Sequence, residues 1–216
     1  MIRRSLTMLS LVALVAAPLA AQGAGDPTKK VAGSTPLPAG WSGRTDRADD
    51  KLTDAKFVKM GSGFHVTSGP AAIYWSASQS VKGPFVASTT ITQTKAPTHP
   101  EAYGIFFGGK GLEGADQSYA YFLVRGDGKF IVNHRAGADV HKIQPWTENA
   151  AIKKQDASGK STNTLTVDAS KPDSVRLLVN GTQVTALKIP ADGIVGLRVN
   201  HNLDVHVSDF KVAPKK

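Results

Sequence analysis

Ser174-Val-Arg-Leu-Leu-Val179, Asn180-Gly181 and Thr182-Gln-Val-Thr-Ala-Leu187 form one continuous stretch, and its reading decides the fold. Two runs rich in β-branched and aliphatic residues flank a dipeptide whose members both tolerate positive φ, as the type I′ turn of a tight hairpin requires. Upstream, Ser118-Tyr-Ala-Tyr-Phe-Leu-Val124 and Lys129-Phe-Ile-Val-Asn-His134 flank Gly126-Asp127-Gly128, a second hairpin with a three-residue connection. Further strands are predicted at Phe64–Thr67, Ala71–Trp75, Phe85–Gln93, Tyr103–Gly108, Thr164–Val167, Gly193–Val199 and Leu203–Val212. Nothing sustains a helical period. Roughly ten or more short strands punctuated by Gly, Pro, Asn and Asp define an all-β sandwich or barrel.

Gly104-Ile-Phe-Phe107 and Tyr119-Ala-Tyr-Phe-Leu-Val124 are apolar on both faces. Such strands are covered on both sides. That suits inner strands of a two-sheet sandwich whose outer, concave face also carries aromatic residues. No repeat of fixed period is present, which argues against a propeller or solenoid.

The N-terminal stretch fixes location. Arg3 and Arg4 precede an uncharged apolar run from Leu6 to Ala20, and Ala20, Ala21, Gly23 and Ala24 offer a peptidase site, so residues 1–21 read as a signal peptide. The mature chain is then exported, periplasmic or extracellular, with no stable membrane insertion once the signal is cleaved. Residues 22–40, rich in Gly, Pro, Ala, Thr and Lys, read as a flexible linker. The single domain spans 41–213, followed by a 214–216 tail.

The chain has no cysteine, which removes disulfides, thiolate nucleophiles, thiolate-held metals and a lipid anchor at the cleavage site. The formal net charge is +9, yet the basic residues are dispersed as pairs such as Lys29-Lys30 and Lys153-Lys154. A nucleic-acid surface would cluster them with aromatic residues, so no nucleic acid is expected as partner. Weak attraction to anionic polymers or acidic glycans is the expected consequence of this charge.

The succession of elements carries a family resemblance. Tyr103-Gly-Ile-Phe-Phe-Gly-Gly109 is followed by Tyr119-Ala-Tyr-Phe-Leu-Val-Arg-Gly-Asp-Gly-Lys129, then by Trp146 in a loop and Ala150-Ala-Ile152. Asn163-Thr-Leu-Thr-Val167, Val175-Arg-Leu-Leu-Val-Asn-Gly181, Asp192-Gly-Ile-Val-Gly-Leu197 and Val207-Ser-Asp-Phe-Lys-Val212 complete it. This order resembles the concanavalin A-like lectin/glucanase superfamily, in particular its secreted bacterial branch that includes 3-keto-disaccharide hydrolase domains. The resemblance implies a jelly-roll sandwich of two antiparallel sheets and a glycan or small saccharide as partner. It does not imply an activity, because its residues are turn glycines and core positions. The Glu-x-Asp-x-Glu strand of laminarinase-type glucanases is missing, since Glu101, Glu113 and Glu148 each stand alone.

Candidate site residues fall into two groups. A saccharide-binding face would combine Tyr103, Tyr119, Tyr121, Asn133 and Arg135, with Trp75 and Trp146 at its rim, because aromatic faces stack on pyranose rings while amide and guanidinium edges grip hydroxyls. His201 has the parity of the apolar set Leu203, Val205 and Val207, which reads either as a core histidine or as a mark of the ligand face. If the protein is an enzyme, His99 and Glu101 form one ionisable pair and Asp204 and His206 another, for acid/base work or, at Asp204 and His206, metal ligation. The competing reading of the second pair is an exposed polar strand face shared by Asn202, Asp204, His206 and Ser208.

Other motifs dissolve into turn chemistry. Arg125-Gly126-Asp127 and Asn180-Gly181-Thr182 sit where hairpins demand them. Gly108–Gly114 lacks the Lys-Ser/Thr ending of a phosphate loop. No cofactor or catalytic metal is indicated, and a structural calcium has no sequence signature here. The sequence therefore reads as a secreted, non-catalytic carbohydrate-binding module. The alternatives are a glycoside hydrolase resembling the 3-keto-disaccharide hydrolases and an envelope structural or interaction protein.

Overall fold

A computed structural model describes residues 28–32 and 36–215, so the signal reading lies outside the described residues. The described chain is all-β apart from one 3-10 turn, Leu52–Asp54. Its strands are β1 (Ser42–Thr45), β2 (Lys56–Met60), β3 (Gly63–Thr67), β4 (Ala72–Val81), β5 (Phe85–Gln93), β6 (Ala102–Lys110) and β7 (Ser118–Arg125). They continue as β8 (Lys129–Ala136), β9 (Asp139–Glu148), β10 (Ser161–Lys171), β11 (Ser174–Val179), β12 (Thr182–Leu187), β13 (Gly193–Val199) and β14 (Asp204–Pro214).

Two seven-stranded antiparallel sheets result, ordered β1-β4-β13-β6-β7-β8-β9 and β12-β11-β10-β5-β14-β3-β2. The hairpins lie where the sequence puts them. Asn180 (φ 51°) and Gly181 (φ 82°) both take the left-handed conformation between β11 and β12, as a type I′ turn needs. Asn180 also braces the turn: its Oδ1 accepts the Thr164 N–H at 2.9 Å and its Nδ2 donates to the Ala151 carbonyl at 2.8 Å.

Alternation places the core. In β5, Phe85, Ala87 and Ile91 turn inward, on the same inner face as Leu165 and Val167 of β10 and Leu177 and Val179 of β11. From the facing sheet come Tyr74, Tyr103, Ile105, Phe107, Phe122 and Val124, and each fully buried side chain of this size is worth about 1.5–3 kcal/mol. Strands β6 and β7 are apolar on both faces because a second apolar layer lies outside their sheet. It contains Ile73, Trp75, Phe106, Leu112, Tyr119, Tyr121, Leu123 and Ile131. Gly196 makes room for that layer, since a Cβ there would stand 2.4 Å from the Phe106 ring.

Three strands escape the sequence reading. β1 and β2 are short and carry few apolar residues in alternation, and β9 is an exposed edge strand without an apolar face. Trp146, expected in a loop, is thus a residue of β9. It is partly exposed, with the Arg125 guanidinium 4.3 Å above its ring. Within the stretch read as linker, Lys29 donates its N–H to Asn202 Oδ1 at 2.8 Å and Val31 donates to the Asp54 carbonyl at 3.3 Å. Among the described residues no helix is long and apolar enough to cross a membrane.

Candidate saccharide-binding face

The outer face of the β1–β9 sheet is built by parity. Ser42, Arg44 and Asp46 share one side of β1 and its continuation, and the register sets Ser42 beside Trp75 and Arg44 beside Ile73. Across β13 the same rows continue to Gly196 and Arg198, and across β6 and β7 to Phe106, Tyr121 and Leu123. On β8, Asn133 pairs with Tyr121 and Arg135 with Tyr119.

Ion pairing fills the middle of this face. Arg198 donates to both Asp46 carboxylate oxygens, at 2.6 and 2.5 Å, while its guanidinium lies 4.5 Å above the Tyr121 ring and donates to Tyr119 Oη at 3.2 Å. Arg135 Nη2 is 3.5 Å from the same carboxylate. Burial pushes the Asp46 carboxyl up, but the guanidinium groups of Arg198, Arg135 and Arg44 more than offset this and hold it below the ordinary carboxylate range. Burial likewise pushes the Tyr119 phenol up, so it stays protonated. Asn133 Nδ2 donates to Tyr121 Oη at 3.0 Å, leaving Asn133 Oδ1, Arg135 Nε and Arg198 Nε buried without partners among the described residues.

Beside this network, two adjoining clefts of about 430 and 490 Å3 open along β1. Trp41, Ser42, Trp75 and Glu113 line both, and Arg44 lines the first. Arg44 Nη1 donates to the carbonyls of Leu112, at 3.1 Å, and Gly114, which anchors the loop that carries Glu113. Trp75 is buried, so the partly exposed Trp41 is the indole that offers a stacking surface, beside the Arg44 guanidinium and the Glu113 carboxylate.

Several sequence expectations change. Tyr103 is not on this face: its parity with Ile105 and Phe107 sends it between the sheets, where its hydroxyl lies 3.3 Å from Ser161 Oγ and 3.5 Å from Asn163 Nδ2. Tyr119, Tyr121, Asn133 and Arg135 do gather on the outer face, but both tyrosine rings are buried and Arg198 covers Tyr121. His201 does not follow strand parity, because the chain turns at His201–Asn202, Asn202 has φ 57°, and β14 begins only at Asp204. Its Nε2 instead lies 3.3 Å from Glu101 Oε1, whose other oxygen accepts from Asn200 Nδ2 at 3.1 Å. Glu101 is therefore paired with His201, not with the exposed His99.

Asp204 and His206 lie on the other sheet, opposite Thr67 and His65 of β3. Asp204 Oδ1 is 3.1 Å from His65 Nε2, the carboxylate accepts from Thr67 at 3.1 Å and from Thr94, and Lys95 Nζ stands 3.4 Å away. Burial raises the Asp204 carboxyl, but the Thr94 hydroxyl, His65 and Lys95 outweigh it, so the net effect is a lowered value. A carboxyl held ionised in this way is no proton donor at neutral pH. The four residues read as catalytic thus separate into Glu101 with His201, Asp204 and His206 with His65, and a free-standing His99. Among the described residues no group of three or more His, Asp or Glu side chains is placed to hold a metal.

Trp41, Ser42, Arg44, Asp46, Glu113 and Arg198 went unread as site residues. Only Arg198 carried a signal, as a lone cation between apolar neighbours in a strand.

No known family profile and no curated protein matches this sequence. The likeness is structural. The carbohydrate-binding module CBM66 from Bacillus subtilis superposes with a TM-score of 0.59 at 13% identity, over 83% of this chain and 98% of the other. A Bacillus licheniformis β-glucanase gives 0.56 at 11% identity over 83% and 94%, and the metal-free carbohydrate recognition domain of Emp46p gives 0.55 at 14% over 81% and 88%. The protein has the jelly-roll sandwich fold of two antiparallel sheets that these structures share, as the order of its hairpins suggested.

Proposed function

We infer that this protein is an exported carbohydrate-binding module that holds a saccharide without cleaving it. The observation that carries the reading is the tryptophan-lined cleft along β1, where Trp41, Trp75, Arg44 and Glu113 converge on about 430 Å3. That volume falls within the range of small-ligand sites. A pyranose stacked on an indole would present its hydroxyls to Arg44 and Glu113. The similar folds of the carbohydrate-binding module CBM66 and the carbohydrate recognition domain of Emp46p support the ligand class.

The non-catalytic part rests on charge placement. Asp46, the carboxylate within the arginine cluster, is bound at both oxygens and kept ionised, so it supplies neither general acid nor free nucleophile. A glycan array probed with the purified protein tests the reading. Binding to at least one glycan is expected, with losses of roughly tenfold or more in Glu113→Ala and Trp41→Phe, the size of one or two lost polar or stacking contacts. No binding, or equal binding by both variants, would overturn it. Release of sugar from a bound glycan that disappears in Glu101→Gln would overturn the non-catalytic part.

A further inference from the structure

The β4–β5 turn, the end of β6, the β10–β11 turn and the β12–β13 connection enclose another cleft, of about 720 Å3. It shares no lining residue with the tryptophan cleft of about 430 Å3. Lys110, Lys171 and Lys188 line it, and none of their ammonium groups has an ion-pair or hydrogen-bond partner among the described residues. The carboxylates in its lining are Asp173 and Asp192, and Asp192 Oδ1 already accepts the Gly83 N–H at 3.0 Å. Unpaired cations around a concavity focus the field into it and draw anions.

The walls between the lysines are apolar and stiff. Val175 and Ile189 belong to the core and its margin, and Pro84, Pro172 and Pro190 stand in the three connecting segments. Proline fixes φ in each, so little chain entropy remains to be lost when a ligand docks. Next to Asp192 of the lining, Gly193 packs tightly on β6: a Cβ there would stand 2.6 Å from the Gly109 carbonyl oxygen. An apolar wall rimmed by ammonium groups fits a ligand with an apolar ring face and carboxylates at its edge. A neutral glycan would leave the three charges unused, and a lone phosphate would leave the wall unused.

We propose that this cleft is a second binding site, which takes a segment of a carboxylated polysaccharide. The proposal is independent of the tryptophan cleft, because the two depend on different residues. Calorimetric titration of the purified protein with polygalacturonate in about 20 mM NaCl tests it, a salt low enough to leave surface charge weakly screened. The Lys110→Gln/Lys171→Gln/Lys188→Gln variant is compared with Lys59→Gln/Lys142→Gln/Lys153→Gln, which removes the same net charge from other exposed positions.

Binding weakened roughly tenfold or more by the first triple change, and less than about threefold by the second, is the expected result, since only the first removes direct charge-assisted contacts. Absence of binding, equal loss in the two variants, or no loss in the first would overturn the proposal. So would polyphosphate that binds more tightly than polygalacturonate with the same lysine dependence.

Discussion

Asp46 shows how much one side chain can organise. It neutralises Arg198, which is almost wholly buried, and helps neutralise Arg135, so its removal would leave guanidinium charge in a dry site. Asp46→Asn should therefore destabilise the protein by about 3–5 kcal/mol at neutral pH, the cost of breaking a buried pair from one side, read from urea unfolding. Because the folded-state value of Asp46 lies below its ordinary 3.8, its contribution is complete above that pH and fades as pH falls through the folded value. The gap between parent and variant should consequently narrow below about pH 4, while Asp204, lowered in the same sense, leaves the variant some acid sensitivity of its own. None of this pairing was legible in the sequence. Asp46 lies in the polar run Thr45–Asp50, and its partners follow about 90 and 150 residues later, a separation that only the sheet order closes.

Hairpins were the legible elements, because turn dipeptides and alternation are local signals. The β11–β12 turn shows both the strength and the limit of such reading: the backbone demand for Asn180-Gly181 is visible in sequence, but the three hydrogen bonds of the Asn180 side chain are not. Asn180→Gly keeps the left-handed φ and removes those bonds, and should cost about 1–3 kcal/mol in urea unfolding. Asn180→Ala should cost about 1 kcal/mol more, since alanine resists that conformation. Parity failed where an element ended unannounced. His201 was assigned a strand face that the turn at Asn202 abolishes, and Tyr103 was given to the outside although it shares the inward parity of Ile105 and Phe107. Strands β6 and β7, apolar on both faces, carry no mark in the sequence of which face looks inward.

Each sheet takes a late strand into its interior. β13 sits between β4 and β6, and β14 between β5 and β3, so both pairings join segments far apart in the chain. Refolding followed by the fluorescence of Trp41, Trp75 and Trp146 should accordingly take milliseconds to seconds or longer, as for other sandwiches dominated by non-local pairing. A chain ending at Asn202 should give no cooperative unfolding transition, because it leaves β3 and β5 without the strand that bridges them. The same arrangement bears on synthesis. Until a ribosome has passed Gly193, neither β13 nor β14 exists to join the parts of its sheet, and the nascent chain has no closed sandwich to fold into. Under the export we propose, a translocation channel that admits only unfolded polypeptide would meet this chain in the state it accepts, and folding would wait for the far side of the membrane.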